Sequence, residues 1–112
     1  MKTLNEWLDE GRKIVNAHYA HMARVKCADG YSVSIQASSG HYCSPRLTLS
    51  SVSDYESFEL GYPTDSDDEL VEYAENAEDL TDTVYGYVPR EVIEVVINKH
   101  GGIVGFHEFE AA

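Results

Sequence analysis

A single block of uncompensated negative charge limits what this chain can fold into. No Lys or Arg occurs between Arg46 and Arg90, and the interval Leu47 to Pro89 holds 12 of the 20 acidic residues. The other 8 acids are balanced by the 8 basic residues, so the net charge of −12 comes from this block. Because carboxylates repel one another and are costly to bury unpaired, the block should lie on the surface of the folded protein. Its acids are Asp54, Glu56, Glu59, Asp65, Asp67, Asp68, Glu69, Glu72, Glu75, Glu78, Asp79 and Asp82.

The rest of the composition is that of an ordinary globular protein. A chain of 112 residues with 43% hydrophobic residues and eight tyrosines is long enough to bury a core, so we expect one domain over residues 1–112 that contains the acidic segment 54–82. No apolar run approaches the roughly 18 residues of a membrane span, and Met1 to Glu10 is too polar for a signal peptide. These features predict a cytoplasmic protein in which Cys27 and Cys43 are reduced.

The N-terminal third is predicted to be one long helix. Thr3 and Glu6 have the spacing of a capping box, in which side chains satisfy the first amide groups of a helix. Apolar residues then recur at helical spacing for about five turns. This stripe consists of Leu4, Trp7, Leu8, Gly11, Ile14, Val15, His18, Tyr19 and Met22.

Strand patterns follow the predicted helix. Asp29-Gly30, a pair that favours tight turns, separates Arg24 to Ala28 from Tyr31 to Ser38 and predicts a hairpin. Val33, Ile35 and Ala37 alternate with Ser32, Ser34 and Gln36, which indicates a second strand with one buried face and one wet face.

The remaining elements complete an α+β domain. Ser38 to Ser53 is predicted to be a loop, with a strand starting near Leu47. Tyr55 to Tyr62 and Thr83 to Val88 are predicted strands. Pro89 suits the first turn of a closing helix, which Gly101-Gly102 should end. We therefore expect N-terminal and C-terminal helices packed on one face of a small antiparallel sheet, with the acidic segment as an inserted helix or loop.

The acidic segment itself has the pattern of an amphipathic helix. Ser66 and Glu69 repeat the capping-box spacing. At 100° per residue the apolar side is Leu70, Tyr73, Ala77 and Leu80, and the opposite side is Asp68, Glu72, Glu75, Asp79 and Asp82. Like charges at this spacing weaken a helix, so a disordered acidic loop is the alternative prediction.

Metal and catalytic sites have little support in the sequence. Asp65, Asp67 and Glu69 match the first positions of an EF-hand, but Leu70 replaces the Gly and Asn76 the Glu that the motif needs, which leaves at most a weak cation site. Cys27, His41 and Cys43 lack zinc-site spacing, and a Cys nucleophile with a His base lacks a third orienting residue. We predict no cofactor, no metal and no enzymatic activity.

The chain as a whole resembles a class of viral inhibitors. Its size, its single acidic block and the segments Cys27 to Gly30 and Asp82 to Pro89 are similar to those of small acidic phage and prophage proteins, the anti-CRISPR and anti-restriction inhibitors. The resemblance implies a stoichiometric inhibitor, acting in the cytoplasm of the bacterial host, that binds a nuclease or CRISPR effector complex and excludes its nucleic acid. It assigns no residue roles.

The charge map and the resemblance lead to one hypothesis. The acidic segment should dock on Lys and Arg side chains of a basic nucleic-acid-binding protein, with no membrane contact and no direct binding of nucleic acid. Tyrosines such as Tyr62 and Tyr73 are candidate aromatic anchors, and the inhibitor is expected to be a monomer or a homodimer. The alternative is a small acidic adaptor that binds a basic partner without displacing nucleic acid. The predicted contact residues are Asp65, Asp67, Asp68, Glu69, Glu72, Tyr73, Glu75, Glu78, Asp79 and Asp82.

Overall fold

The fold is α+β, as the sequence predicts, and is built around a five-stranded antiparallel sheet. The computed structural model describes residues 2–107, so Met1 and residues 108–112 of the predicted domain lie outside the described range. Its helices and strands are α1 (Leu4–Glu10), β1 (Arg12–Asn16), β2 (Tyr19–Met22), β3 (Val25–Cys27), β4 (Ser32–Gln36), β5 (Ser57–Gly61), β6 (Val84–Pro89), α2 (Arg90–Lys99) and β7 (Ile103–Phe106). Two short 3-10 helices cover Val52–Asp54 and Asp68–Tyr73. The large sheet has the order β6-β5-β4-β3-β7, and β1 and β2 form a separate hairpin.

The terminal helices share one core against this sheet. Because α2 leaves the edge strand β6 and returns to the opposite edge strand β7, it must cross the sheet. Ile93 and Val96 of α2 and Leu8 of α1 are buried in the same cluster as the strand residues Val33 and Ile35. The two helices therefore cover the apolar side of the sheet. No helix among residues 2–107 has the length and apolar character needed to cross a bilayer.

The prediction of one long N-terminal helix is wrong beyond its first two turns. Thr3 and Glu6 form the predicted capping box, but the helix ends at Glu10 and the chain then forms the β1–β2 hairpin. Gly11 and the β-branched pair Ile14 and Val15 disfavour helix, and these two apolar side chains are 49% and 58% exposed. The helical spacing of apolar residues therefore did not correspond to a buried face.

The predicted strand after Asp29-Gly30 is confirmed as β4, but it has no wet face. Ser32 and Gln36, on the side expected to face water, are 2% and 7% exposed. The hydrogen bonds of the Gln36 side-chain amide explain why Gln36 is buried. Its Oε1 accepts from Met22 N at 2.8 Å and its Nε2 donates to Met22 O at 2.9 Å, so a side chain takes the place of a neighbouring strand for β2. Gln36 thereby joins the hairpin to the large sheet.

The segment between β4 and β5 is held by two arginines rather than by a strand. No strand starts near Leu47, which is 56% exposed. Arg12 donates to the Leu49 carbonyl and to the Tyr55 hydroxyl, and Arg90 donates to the Tyr55 carbonyl at 2.7 Å. These contacts are distant in sequence, so local patterns gave no sign of them.

The C-terminal elements follow the sequence closely. The predicted strands are present as β5 and β6, and Pro89 caps α2 from the position just before its first residue. Gly101 and Gly102 have φ angles of 91° and 87°, which glycine adopts without strain, and they end the helix as predicted. The edge strand β7 that follows them was not predicted, because four residues are too few to show a period.

We expect the Gln36→Leu variant to lower the free energy of unfolding by about 2 kcal/mol or more, because it leaves two buried backbone groups of Met22 without partners. Chemical denaturation measures this loss. The matched control is Ser34→Ala, which removes only the hydrogen bond between Ser34 Oγ and the Gln36 amide and should cost about 1 kcal/mol or less. Equal losses in the two variants would contradict the role given to Gln36.

Candidate partner-binding surface

The acidic segment is ordered, but it is not the predicted helix. Only Asp68–Tyr73 is helical, as a short 3-10 helix, and the chain is extended again at Ala74. The predicted capping box of Ser66 and Glu69 is absent, since Asp67 is the N-cap residue and makes no side-chain cap bond. Repulsion between like charges and the unfavourable dipole at the far end account for the missing helix. The disordered loop, which was the alternative, is not present either.

Tertiary contacts order the segment in place of helical hydrogen bonds. Leu70 is fully buried in the core. Ala74 pairs with Tyr85 of β6 in an isolated bridge, and Asn76 N donates to Thr83 Oγ1 at 3.0 Å. The segment therefore folds back along β6 and is fixed at both ends.

A partly buried ion cluster around Asp67 fixes the start of the segment. The Asp67 side chain is 1% exposed, and its Oδ1 accepts from His100 Nε2 at 2.9 Å and from Lys99 Nζ at 3.0 Å. The other ring nitrogen, His100 Nδ1, donates to Asp29 Oδ2 at 2.7 Å. The cluster thus joins the acidic segment, the end of α2 and the turn between β3 and β4.

His100 is held in its charged form by this arrangement. Both ring nitrogens face carboxylates, which only accept hydrogen bonds, so both nitrogens must carry protons. Burial of the ring opposes protonation, but the bonds to Asp29 and Asp67 outweigh it and raise the pKa of His100. The Tyr31 ring stacks on the imidazole with the ring centroids 3.7 Å apart. With both nitrogens engaged, His100 has no lone pair to act as a general base.

The carboxylates of the cluster are ionised, because the hydrogen bonds that they accept lower their pKa values. Burial alone would raise the pKa of Asp67, but hydrogen bonds from His100 and Lys99 hold it below its usual value. The bond from Tyr31 N, followed by that from His100, lowers the pKa of Asp29. The Tyr31 hydroxyl and Asp67 Oδ2 are buried and make no hydrogen bond within residues 2–107. Burial and the Asp67 charge raise the pKa of Tyr31, so its hydroxyl stays protonated.

The predicted contact residues divide into two groups. Asp67 is buried, and Glu69 pairs with Lys99 Nζ at 2.9 Å, so both are neutralised within the chain. Tyr73 is half-buried against the core. The others are exposed, and we call them the acidic surface: Asp65, Asp68, Glu72, Glu75, Glu78, Asp79 and Asp82. They follow a 3-10 turn and tight loops, so the regular line of carboxylates expected from a helix is not formed.

Exposed tyrosines next to the segment are the feature that sequence reasoning largely missed. Tyr62, which the sequence suggested, is 50% exposed, and Tyr42 and Tyr87 are 41% and 48% exposed. Tyr62 and Tyr87 both have positive φ angles, 50° and 54°, which is unusual for a bulky residue. Gly86, which interrupts the strand pattern just before Tyr87, was the available signal.

The sulfur and metal chemistry considered from the sequence does not come together. Cys27 and Cys43 are buried and unbridged, and burial raises the pKa of Cys27 to about 11, which disfavours the nucleophilic thiolate. His41 Nδ1 is hydrogen-bonded to the buried Ser38 Oγ at 2.7 Å rather than to a thiol. Within residues 2–107 no group of three or more His, Cys, Asp or Glu side chains is arranged to hold a metal ion.

Comparison with known proteins gives no match, whether with family models, with curated proteins or with solved structures.

We expect Asp67→Asn to lower the free energy of unfolding by about 1.5 to 3 kcal/mol, because it weakens two charge-assisted hydrogen bonds at a buried site. Glu69→Gln makes the same change in net charge at an exposed ion pair and should cost clearly less, because solvent screens such pairs. Denaturant unfolding at constant pH compares the two. If Asp67→Asn were as mild as Glu69→Gln, the cluster would not be an anchor of the segment.

The stabilisation contributed by His100 should disappear as the pH rises. Because the pKa of His100 is raised in the folded protein, its contribution is complete below the unfolded pKa of about 6.5 and is lost as the pH rises through the higher folded value. The stability difference between the wild type and His100→Gln, measured in urea from about pH 6 to pH 9, should therefore shrink. Asp29→Asn should shift that loss to lower pH. A difference that stays constant over the range would refute a charged His100.

Proposed function

We propose that this protein is a stoichiometric inhibitor of a basic nucleic-acid-binding protein and that its acidic surface occupies the site for nucleic acid. The observation that carries the proposal is the acidic surface itself, with seven exposed carboxylates, from Asp65 to Asp82, on an ordered segment without Lys or Arg. Positive patches that hold phosphates attract such a surface strongly at low salt. The same repulsion makes direct binding of nucleic acid by this face unfavourable.

The order of the segment supports a binding role. A disordered acidic tail loses conformational entropy when it binds, whereas a fixed surface does not. Here Leu70 is buried, Asp67 is ion-paired and Ala74 is bridged to β6, so the exposed carboxylates between and after them are held in place.

Three of the basic side chains among residues 2–107 are already engaged elsewhere. Lys99 reaches the segment and is already shared by Asp67 and Glu69. Arg12 and Arg90 donate to carbonyl groups around Tyr55 rather than to carboxylates. An external cation is therefore the natural counterpart of the acidic surface.

The target class comes from the resemblance described above. A CRISPR effector complex or a restriction nuclease of the bacterial host presents the basic groove that the proposal needs, and its inhibition would require one copy per target. An adaptor that binds a basic partner without displacing nucleic acid is the second candidate. It is favoured by one observation: the 3-10 turn and loops do not repeat at the regular spacing of phosphates.

A capture and competition experiment tests the proposal. The immobilised protein is incubated with nuclease-treated bacterial lysate at about 50 mM and about 500 mM salt, and the retained proteins are identified. We expect a nucleic-acid-binding protein that is retained mainly at low salt. The purified target should then lose its DNA or RNA when the inhibitor is added. Simultaneous binding of inhibitor and nucleic acid would favour the adaptor.

Charge reversal locates the contact. Replacing Glu72, Glu75 and Asp79 by Lys should weaken target binding more than about tenfold and reduce its salt dependence. The matched control reverses Asp54, Glu91 and Glu94, which are exposed acids outside the acidic surface, with the same change in net charge. If the control loses as much binding as the test variant, the acidic surface is not the contact.

A further inference from the structure

An exposed aromatic pair lies beside the acidic surface. The ring centroids of Tyr42 and Tyr87 are 6.1 Å apart at an angle of 39°, and each side chain keeps more than two fifths of its surface exposed. Glu75 N of the acidic segment donates to Val84 O, two residues before Gly86 on the same strand. Large aromatic rings that are partly exposed to solvent offer contact area that a partner can bury.

The backbone of Tyr87 is strained at its position in β6. Gly86 and Tyr87 of β6 lie opposite the single residue Glu59 of β5, which makes a β-bulge. The φ angle of Tyr87 is 54°, in the left-handed region, which costs a residue other than glycine about 1 kcal/mol or more. Bulges redirect side chains, and here the redirected side chain is an exposed tyrosine. The Tyr87 N–H donates to the Tyr42 carbonyl at 3.0 Å, so the bulge also holds the two tyrosines together through the backbone.

A half-buried carboxylate belongs to the same site. Glu59 Oε1 accepts from Tyr42 N at 3.4 Å. Burial raises the pKa of Glu59 against this hydrogen bond, and the charge of Glu75 raises it further. A carboxylate in such a position gains more from a nearby cation than an exposed carboxylate does.

The chain itself shows which cation fits the Tyr42 ring. The guanidinium carbon of Arg46 lies 5.0 Å from the centroid of the Tyr42 ring. A planar guanidinium stacks on aromatic rings and pairs with carboxylates at the same time, whereas the ammonium group of lysine is compact and strongly hydrated.

We infer that Tyr42, Tyr87 and Glu59 form an arginine anchor, in which a guanidinium of the basic partner stacks on Tyr87 and pairs with Glu59. The inference rests on the proposed function, because it takes the partner to be basic. It adds that the surface prefers arginine to lysine, which charge alone does not explain.

Peptide binding tests the anchor without knowledge of the target. Oligoarginine and oligolysine peptides of equal length are titrated into the intact protein, and the ring signals of Tyr87 are followed by NMR. We expect the arginine peptide to bind about threefold or more tightly and to shift the Tyr87 signals. Equal affinities, or no binding of either peptide, would overturn the inference.

Variants separate the anchor from the general charge. Tyr87→Gly relieves the positive φ angle and should abolish the preference for arginine without lowering the melting temperature, while Tyr87→Phe should keep the preference. Tyr19→Ala is the control, since Tyr19 is an exposed tyrosine in the β1–β2 hairpin, outside both the pair and the acidic surface, and the preference should survive. Glu59→Gln gives a second test that leaves the strand intact and should reduce the preference. A preference retained in both Tyr87→Gly and Glu59→Gln would overturn the inference.

The anchor and the proposed function fail in different ways. If the target keeps its nucleic acid in the competition experiment but the arginine preference is present, the proposed function is wrong and the anchor stands. If the target is displaced but both peptides bind equally, the anchor is wrong and the acidic surface acts through charge alone.

Discussion

The two hydrogen bonds of the His100 imidazole attach the start of the acidic segment to the end of α2 and to the turn after β3, which the β3–β7 pairing already brings together. Asp29 lies in the turn between β3 and β4, Asp67 begins the acidic 3-10 helix, and His100 follows α2. A carboxylate as buried as Asp67 needs a cation, and in a chain with a net charge of −12 cations are scarce. Here the need is met by Lys99 and His100 together. The position of the acidic surface depends on this cluster, because Asp67 precedes every exposed carboxylate of the surface except Asp65.

Two arginines also use their positive charge inside the fold. Arg12 and Arg90 hold the segment between β4 and β5 through its carbonyl groups and the Tyr55 hydroxyl. Guanidinium groups have several donors in a fixed plane, which suits them to tie irregular backbone together. These cations stabilise the interior through carbonyl and hydroxyl groups rather than through the carboxylates of the acidic surface.

Local chemistry explains which parts of the fold could be predicted. The capping box of Thr3 and Glu6, the turn at Gly30 and the glycines after α2 act within a few residues, and each has the effect expected. The long N-terminal helix was predicted from apolar spacing alone, and it failed because Ile14 and Val15 belong to an exposed hairpin strand. In the acidic segment the carboxylates were recognised, but the roles of Asp67 and Glu69 depend on Lys99 and His100, which lie about thirty residues away. The Tyr42–Tyr87 pair was missed for the same reason, since pairing across 45 positions leaves no local period.

The link through Gln36 has a consequence for how this fold can vary. Strands that share a ladder must keep a common register, so a change of length in one strand disturbs the next. The β1–β2 hairpin is attached to the large sheet through a side-chain amide at Met22 and shares no ladder with it. Residues can therefore be added or removed near its turn, at Ala17 and His18, without altering the register of β4 and β5. The turn of the hairpin can therefore change in length while Arg12 in β1 and the acidic surface stay in place.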